Sequence, residues 1–242
     1  MIGCIIQARM GSSRLPGKTL MKLDENDSTL DFVIKQISFS KLIDKIVIAT
    51  TNLQQDDIIE KNAAKRRIDC YRGSSDDVLD RYYNCAKIFH MDTIVRITAD
   101  CPIIDPEIVE QVIKKFQSQN YDYVTNTLIR TYPVGTDVEI FSFKALEETW
   151  QKAKLPSERE HVTPFIRNKE SKFRLGNLEN EKNLSHLRWT LDRNEDLILI
   201  RKIISKINIF CATCGPGLVG GLLVGSTTVS YTHLTLPTNR EV

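Results

Sequence analysis

The chain has no apolar run of membrane-spanning length, and it is read as a protein that does not enter a membrane. It has almost no net charge: 33 Lys and Arg stand against 31 Asp and Glu, leaving +2. No global field therefore draws it to a nucleic acid, and cations gathered in one place suit a small anionic ligand better than a duplex. No disulfide framework is visible. Of the six cysteines, Cys4, Cys70, Cys85 and Cys101 are scattered singly and read as buried free thiols, as a reducing cytoplasm allows. Cys211 and Cys214 have the spacing of half a zinc site, but no second pair follows. Met1 runs straight into an apolar stretch, which leaves no room for a signal peptide and again points to the cytoplasm. The 41% hydrophobic and 26% charged residues are those of an ordinary globular protein, either one α/β domain or two small ones.

Against these absences stands residues 5–18, Ile-Ile-Gln-Ala-Arg-Met-Gly-Ser-Ser-Arg-Leu-Pro-Gly-Lys. Ile2 to Ile6 read as a buried first strand. The loop that follows carries Arg9, Arg14 and Lys18 among Gly11, Ser12, Ser13 and Gly17. Small residues let backbone N–H groups approach a ligand, Arg grips phosphate oxygens with a fork, and Lys acts as a point charge. The site reads as one for a polyphosphate, at the strand end where open α/β sheets place ligands. It is neither a Walker loop, which would need Gly at the position of Ser12, nor a Gly-x-Gly-x-x-Gly turn.

Ala8-Arg9-x-x-Ser12-x-Arg14-Leu15-Pro16-Gly17-Lys18 resembles the nucleotide-binding signature of the CMP-sugar-acid synthetases, and most nearly the spore-coat polysaccharide biosynthesis protein F group. The resemblance covers roughly residues 1–208. It implies an α/β fold with a doubly wound, mostly parallel sheet of the nucleotide-diphospho-sugar transferase type, Rossmann-like and three-layered. It implies CTP as co-substrate, Mg²⁺ as cofactor, a small sugar acid as acceptor, and a homodimer. Arg9 and Lys18 would bind the triphosphate, with Ala8, Gly11, Ser12 and Arg14 around it.

The rest of the chain alternates strand and helix in the doubly wound rhythm. Helices are expected from a Ser28 or Thr29 cap through Ile37, from about Asp56 to Lys65, from Asp76–Asp77 through Phe89, from Pro106 to Ser118, from Ser142 through Trp150, and from Glu195 to Ile207. Ser157 with Glu160 reads as a capping box. Strands are expected at 45–51, 69–75, 92–102, 121–125 and 187–192, with a further extended stretch at 133–141. Arg72 sits at a strand end: either it faces the crevice and reads the cytosine, as the resemblance implies, or it bridges to Asp76 or Asp77. Asp100 follows an apolar strand and precedes Pro102, which puts a hard oxygen donor beside the triphosphate. Asp105 caps the next helix by itself and leaves Asp100 free for Mg²⁺. Asp192-x-x-Glu195-Asp196-Leu197 resembles the family's Asp-x-Pro-Glu-Asp-Leu, whose first Asp is the second metal ligand; Asn194 replaces the usual Pro.

Pro133-x-Gly135-x-Asp137-x-Glu139 resembles the spore-coat group's segment on the far side of the crevice. Asp137 and Glu139 share one strand face, either toward the second substrate or toward solvent. His161, in a Glu-His-Val-Thr-Pro run that the same group has, either binds an acidic substrate or caps a neighbouring element. Residues 209–242 change character: two charged residues, many glycines and a Thr-rich end resembling translated adaptor sequence. They are read as a tail standing where natural carboxyl-terminal helices would continue. A glycosyltransferase of this architecture would show Asp-x-Asp where Thr98-Ala99-Asp100 stands, so the first reading is nucleotidyl transfer. The alternatives are a sugar-phosphate nucleotidylyltransferase or glycosyltransferase on the same fold, or a nucleotide-binding module without catalysis.

Overall fold

The computed structural model describes residues 1–214 apart from 169 and 171, with side chains to Lys206. Its centre is a seven-stranded sheet in the order β3-β2-β1-β4-β6-β5-β7. Strands β1 (Ile2–Gln7), β2 (Lys45–Thr51), β3 (Asp69–Gly73) and β4 (Thr93–Thr98) are parallel. β6 (Glu139–Ser142) runs antiparallel between β4 and β5 (Tyr123–Thr125), and β7 (Leu175–Asn177) pairs parallel with β5. Residues 3–6 of β1 are all buried because helices cover both faces of the sheet, which is why the strand is a continuous apolar run.

On one face, α1 (Thr29–Ser38), α2 (Asp57–Arg66) and α4 (Pro106–Ser118) pack Val33, Ile59 and Val109 against Ile6, Ile48 and Val95. On the other, α3 (Val78–Ile88), α5 (Phe143–Lys152) and α7 (Pro164–Arg167) bury Leu79, Leu146 and Ile166 around Ile5 and Phe141, joined by Val162 just past α6 (Pro156–His161). These are the three layers expected. The predicted caps form: Ser28 and Asp31 make a reciprocal box on α1, Asp105 accepts from the Glu107 N–H at 2.8 Å, and Ser142 accepts from the Ala145 N–H at 3.1 Å. A third apolar cluster joins Leu15 and Leu23 to Trp189, Leu191, Ile200 and Ile203, and so seats α8 (Asn194–Cys214) beside the first loop. α8 continues past Asn208; the Cys211 and Cys214 side chains and residues 215–242 lie outside the described part. No described helix is long and apolar enough to cross a membrane.

Two expectations are corrected. Ser157 does not cap a helix, because Pro156 with its preset φ already opens α6 and the Glu158 carboxylate accepts the Leu155 N–H at 3.1 Å. Residues 187–192 do not form a sheet strand. Their β pairing with the extended 133–141 stretch is an isolated bridge between Val134 and Arg188, not a ladder. Their alternation is real, but Leu187, Trp189 and Leu191 serve the third cluster and not the sheet. β7 went unseen in the sequence because three residues, one of them Gly, carry no period.

Gly135 fixes where this segment lies. Its φ of 102° is open mainly to glycine, and an added Cβ would sit 2.6 Å from the Thr190 nitrogen and the Trp189 carbonyl carbon. Gly135→Ala is expected to lower stability by about 1–3 kcal/mol or more, read from urea unfolding. An unchanged midpoint would mean that the 188–192 segment is not held against this turn.

Candidate active site

β1 ends at Gln7, and the Ala8 N–H makes a last tie to the sheet at the Ala49 carbonyl, 3.1 Å. The loop beyond is fastened at its base. The Met10 N–H donates to Asp56 Oδ1 at 2.7 Å, the Thr19 hydroxyl to the Arg9 carbonyl at 2.7 Å, and the Gly17 N–H to the Met10 carbonyl at 3.2 Å. Gly17, at φ 74°, turns the chain back into a short 3₁₀ turn that begins at Lys18. Between these fixed points Gly11, Ser13 and Arg14 are exposed, and Ser12 accepts the Leu15 N–H at 3.3 Å. A cavity of about 220 Å³ opens here, lined by Arg9, Gly11, Ser12, Arg14 and Lys18 from the loop and Asp100 from beyond β4.

Lys18 Nζ lies 2.7 Å from Asp100 Oδ2 and 2.7 Å from Asp192 Oδ1. Arg188 donates to the other Asp192 oxygen at 2.8 Å, and Arg14 approaches Oδ1 at 3.3 Å. The two acid-bearing segments are also tied by backbone: the Leu191 N–H donates to the Asp100 carbonyl at 2.8 Å, and the Thr190 hydroxyl reaches the same oxygen at 3.1 Å. Burial alone would lift the Asp192 pKa, but hydrogen bonds from Lys18 and Arg188 hold it below the ordinary carboxylate range. Burial alone would likewise lower Lys18, and the Asp100 and Asp192 carboxylates outweigh it and raise it. Asp192 and Lys18 thus each favour the charged form of the other.

A second cavity of about 310 Å³ shares Thr98 with the first and is lined by Arg130, Asp137, Glu139, His161 and Arg167. The structure brings Asp137, Glu139 and His161 together there. Their states differ. Asp137 is held by both arms of Arg130 at 2.5 and 2.8 Å, and exposed His161 ends α6. Glu139 is buried, with its oxygens taken by Arg96, Tyr123 and Thr163.

A model of the cytidylyltransferase family matches residues 3–210. The chain belongs to that family. It is 34% identical to the spore coat polysaccharide biosynthesis protein SpsF of Bacillus subtilis over 84% of this chain and 85% of that one. It is 37% identical to a solved cytidylyltransferase from Leptospira borgpetersenii, with a TM-score of 0.81 over 85% of this chain and 87% of that one. A CMP:2-keto-3-deoxy-manno-octonic acid synthetase, solved with CTP, shares the fold at 16% identity and a TM-score of 0.64, over 85% of this chain and 98% of that one.

In this cytidylyltransferase, Asp100 in the cavity wall and Asp192 beside it offer two hard oxygen donors that converge on the Lys18 ammonium. Mg²⁺ is bound in that way, by one or two carboxylates with phosphates and waters completing the shell, so the donor set fits it. No described group of three His, Cys, Asp or Glu forms a fuller cage. Arg72 is placed differently from either expectation. Its guanidinium turns to α2, pairs with Asp57 at 2.6 Å and Glu60 at 3.0 Å, and donates to the Thr51 and Leu53 carbonyls. Asp76 and Asp77 are not its partners; Asp77 pairs with Arg159 and caps α3.

Arg81 is the residue the sequence did not disclose. It is fully buried, donates from Nη1 to the Ser74 carbonyl at 2.9 Å, and leaves Nε and Nη2 without a partner. Burial lowers its pKa, and Arg9 lies close enough to lower it further. An arginine in an apparent helical face, four residues after an acid cap, looks like any solvated cation. Only the burial shows otherwise.

Glu139 gives this site a structural prediction. Burial alone would raise its pKa, but Arg96, Tyr123 and Thr163 together bring it below 4.5. A depressed carboxylate contributes stability that is complete above its unfolded value and is lost as pH falls through the folded one. Glu139→Gln leaves Arg96 buried and uncompensated, so it is expected to cost about 3–5 kcal/mol at pH 7. Urea midpoints of the two proteins should converge as pH drops below 4.5. A pH-independent gap would mean that the pair does not titrate with folding.

Proposed function

We propose that this enzyme transfers CMP from CTP to an oxygen of a sugar acid and releases pyrophosphate. The observation that carries the reading is the meeting of Asp100 and Asp192 on Lys18, where Lys18 and Asp100 line the loop's cavity and Asp192 joins them through Lys18. Such transfers depend on positioning and charge stabilisation more than on covalent chemistry. Arg9, Arg14 and Lys18 hold the β- and γ-phosphates and offset the charge that builds on the leaving pyrophosphate. The free N–H groups at the loop tip add fixed partial charges. Asp100 and Asp192 are the residues that would hold Mg²⁺, whose contribution when bound is to withdraw charge from the α-phosphate and to lower the pKa of the attacking hydroxyl. The second cavity, meeting the first at Thr98, takes the acceptor, with His161 and Arg167 at hand for its acid group and the buried Arg96–Glu139 pair as a rigid wall.

Base reading falls to Arg81 in place of Arg72. A buried guanidinium with two unpartnered N–H groups is costly unless a ligand completes it. Nε and Nη2 lie along one edge of the fork and match the O2 and N3 acceptors of cytosine; uracil offers a donor at N3. Only the Ser74 carbonyl of the covering turn holds Arg81 now, so a base that moves this turn reaches it. The free Cys4, Cys70, Cys85 and Cys101 suit a reducing cytoplasm.

Calorimetric titration with CTP, UTP, ATP and GTP, with and without Mg²⁺, tests the reading. Mg²⁺-dependent preference for CTP is expected, and preference for another nucleotide would overturn it. Arg81→Met should erase the preference for CTP over UTP, whereas Arg72→Ala should leave it intact; the reverse would return base reading to Arg72. Asp100→Asn should lower the rate of pyrophosphate release by about 100-fold or more, several kcal/mol of transition-state stabilisation. Normal turnover in that variant would remove Asp100 from the metal site.

A further inference from the structure

We propose that Lys18 holds the place of the divalent cation when no nucleotide is bound, so that the metal enters only together with the nucleotide. This rests on the reading that Asp100 and Asp192 form the metal site. The ammonium of Lys18 is equidistant from one oxygen of each acid, at 2.7 Å, which is the position a cation bridging the pair would take. Its side chain is only 14% exposed, beside Asp100 at 26% and Asp192 at 12%, so the three groups shield one another from water.

The surrounding charge is already balanced. Arg188 holds the second Asp192 oxygen and also reaches Asp196, while Arg14 adds a third cation against three carboxylates. A bare divalent ion would have to displace a charge-assisted bond to two acids and sit among these cations, after shedding water that Mg²⁺ gives up reluctantly. Without a nucleotide, the site therefore opposes the ion it is built to hold.

A triphosphate reverses the balance. The cavity that receives it runs from Arg9 and the loop tip to the Lys18 ammonium itself. Lysine is a compact charge on a flexible stem, and its stem is anchored by the turn after Gly17. Phosphate oxygens arriving in the cavity draw Nζ off the carboxylates by a short rotation. That movement frees Asp100 Oδ2 and Asp192 Oδ1 at the moment when a metal travelling with the same triphosphate needs them. The two ligands then raise each other's affinity by one common factor, as linkage requires.

The test is a titration of the full chain with Mn²⁺, with free Mn²⁺ read by its paramagnetic resonance signal, with and without CTP. Wild type is expected to bind Mn²⁺ weakly alone and at least about tenfold more tightly with CTP. Lys18→Met is expected to bind Mn²⁺ alone at least about tenfold more tightly than wild type, because the competing cation is gone. The factor by which CTP improves Mn²⁺ binding should shrink accordingly. Adding Asp100→Asn to Lys18→Met should abolish the gain, which locates it at the carboxylates. Lys18→Gln serves in the same way should the Met variant fail to fold, judged by its circular dichroism melt. A folded Lys18 variant that binds Mn²⁺ no more tightly than wild type overturns the proposal while leaving the metal site standing. Wild type that binds no Mn²⁺ even with CTP bound overturns the metal site, and the proposal with it.

Discussion

The structure depends on bringing two like charges to one point. Asp100 leaves the end of β4, and Asp192 comes from a coil just ahead of α8. Nothing in a parallel sheet favours their approach, and in water they would repel. The Lys18 ammonium between them turns the repulsion into a tie across three separate parts of the chain: the first loop, the β4 exit and the approach to α8. Apolar packing supports the same junction, because Leu15 sits in one cluster with Trp189, Leu191 and Ile200. The first loop and the segment that carries the second acid are thus parts of one small core.

The sheet explains why chemistry gathers at this edge. Gln7 of β1 and Thr98 of β4 are register partners at the ends of their strands, and both line the first cavity. β6 then runs antiparallel against β4, so Glu139 arrives opposite Arg96 near the same edge. Its carboxylate is spent on Arg96, Tyr123 and Thr163, which makes it part of the second cavity's fixed wall. Asp137, outside the strand and partly exposed on Arg130, is the acid that a ligand in the second cavity can compete for.

Much of this was legible in the residues. The apolar run of β1, the small and cationic loop after it, and the helix caps at Ser28, Asp105 and Ser142 are local signals, and local interactions honour them. Asp100 was legible because an acid that ends an apolar strand has one place to go. What failed was longer range. Residues 187–192 alternate like a strand, yet period two says only that one side is buried, not that a sheet buries it. Arg72 and Arg81 were indistinguishable by type and spacing. Burial by the β3 edge and the turn over α3 separated them, and no window of sequence contains that information. Glu139 lines the second cavity but faces neither solvent nor an open ligand position, because its carboxylate is held by three partners 16 to 43 residues away.

The two acids of the junction are not equivalent. Asp100 sits directly on the end of a central strand, with β1 and β6 on either side of β4. Asp192 sits on coil. The Asp196 carboxylate accepts its N–H at 2.8 Å, Arg188 holds its Oδ2, and its neighbours bond to the Asp100 carbonyl. Asp100 is therefore placed by the sheet, and Asp192 by the hydrogen bonds that Arg188, Asp196 and Lys18 supply.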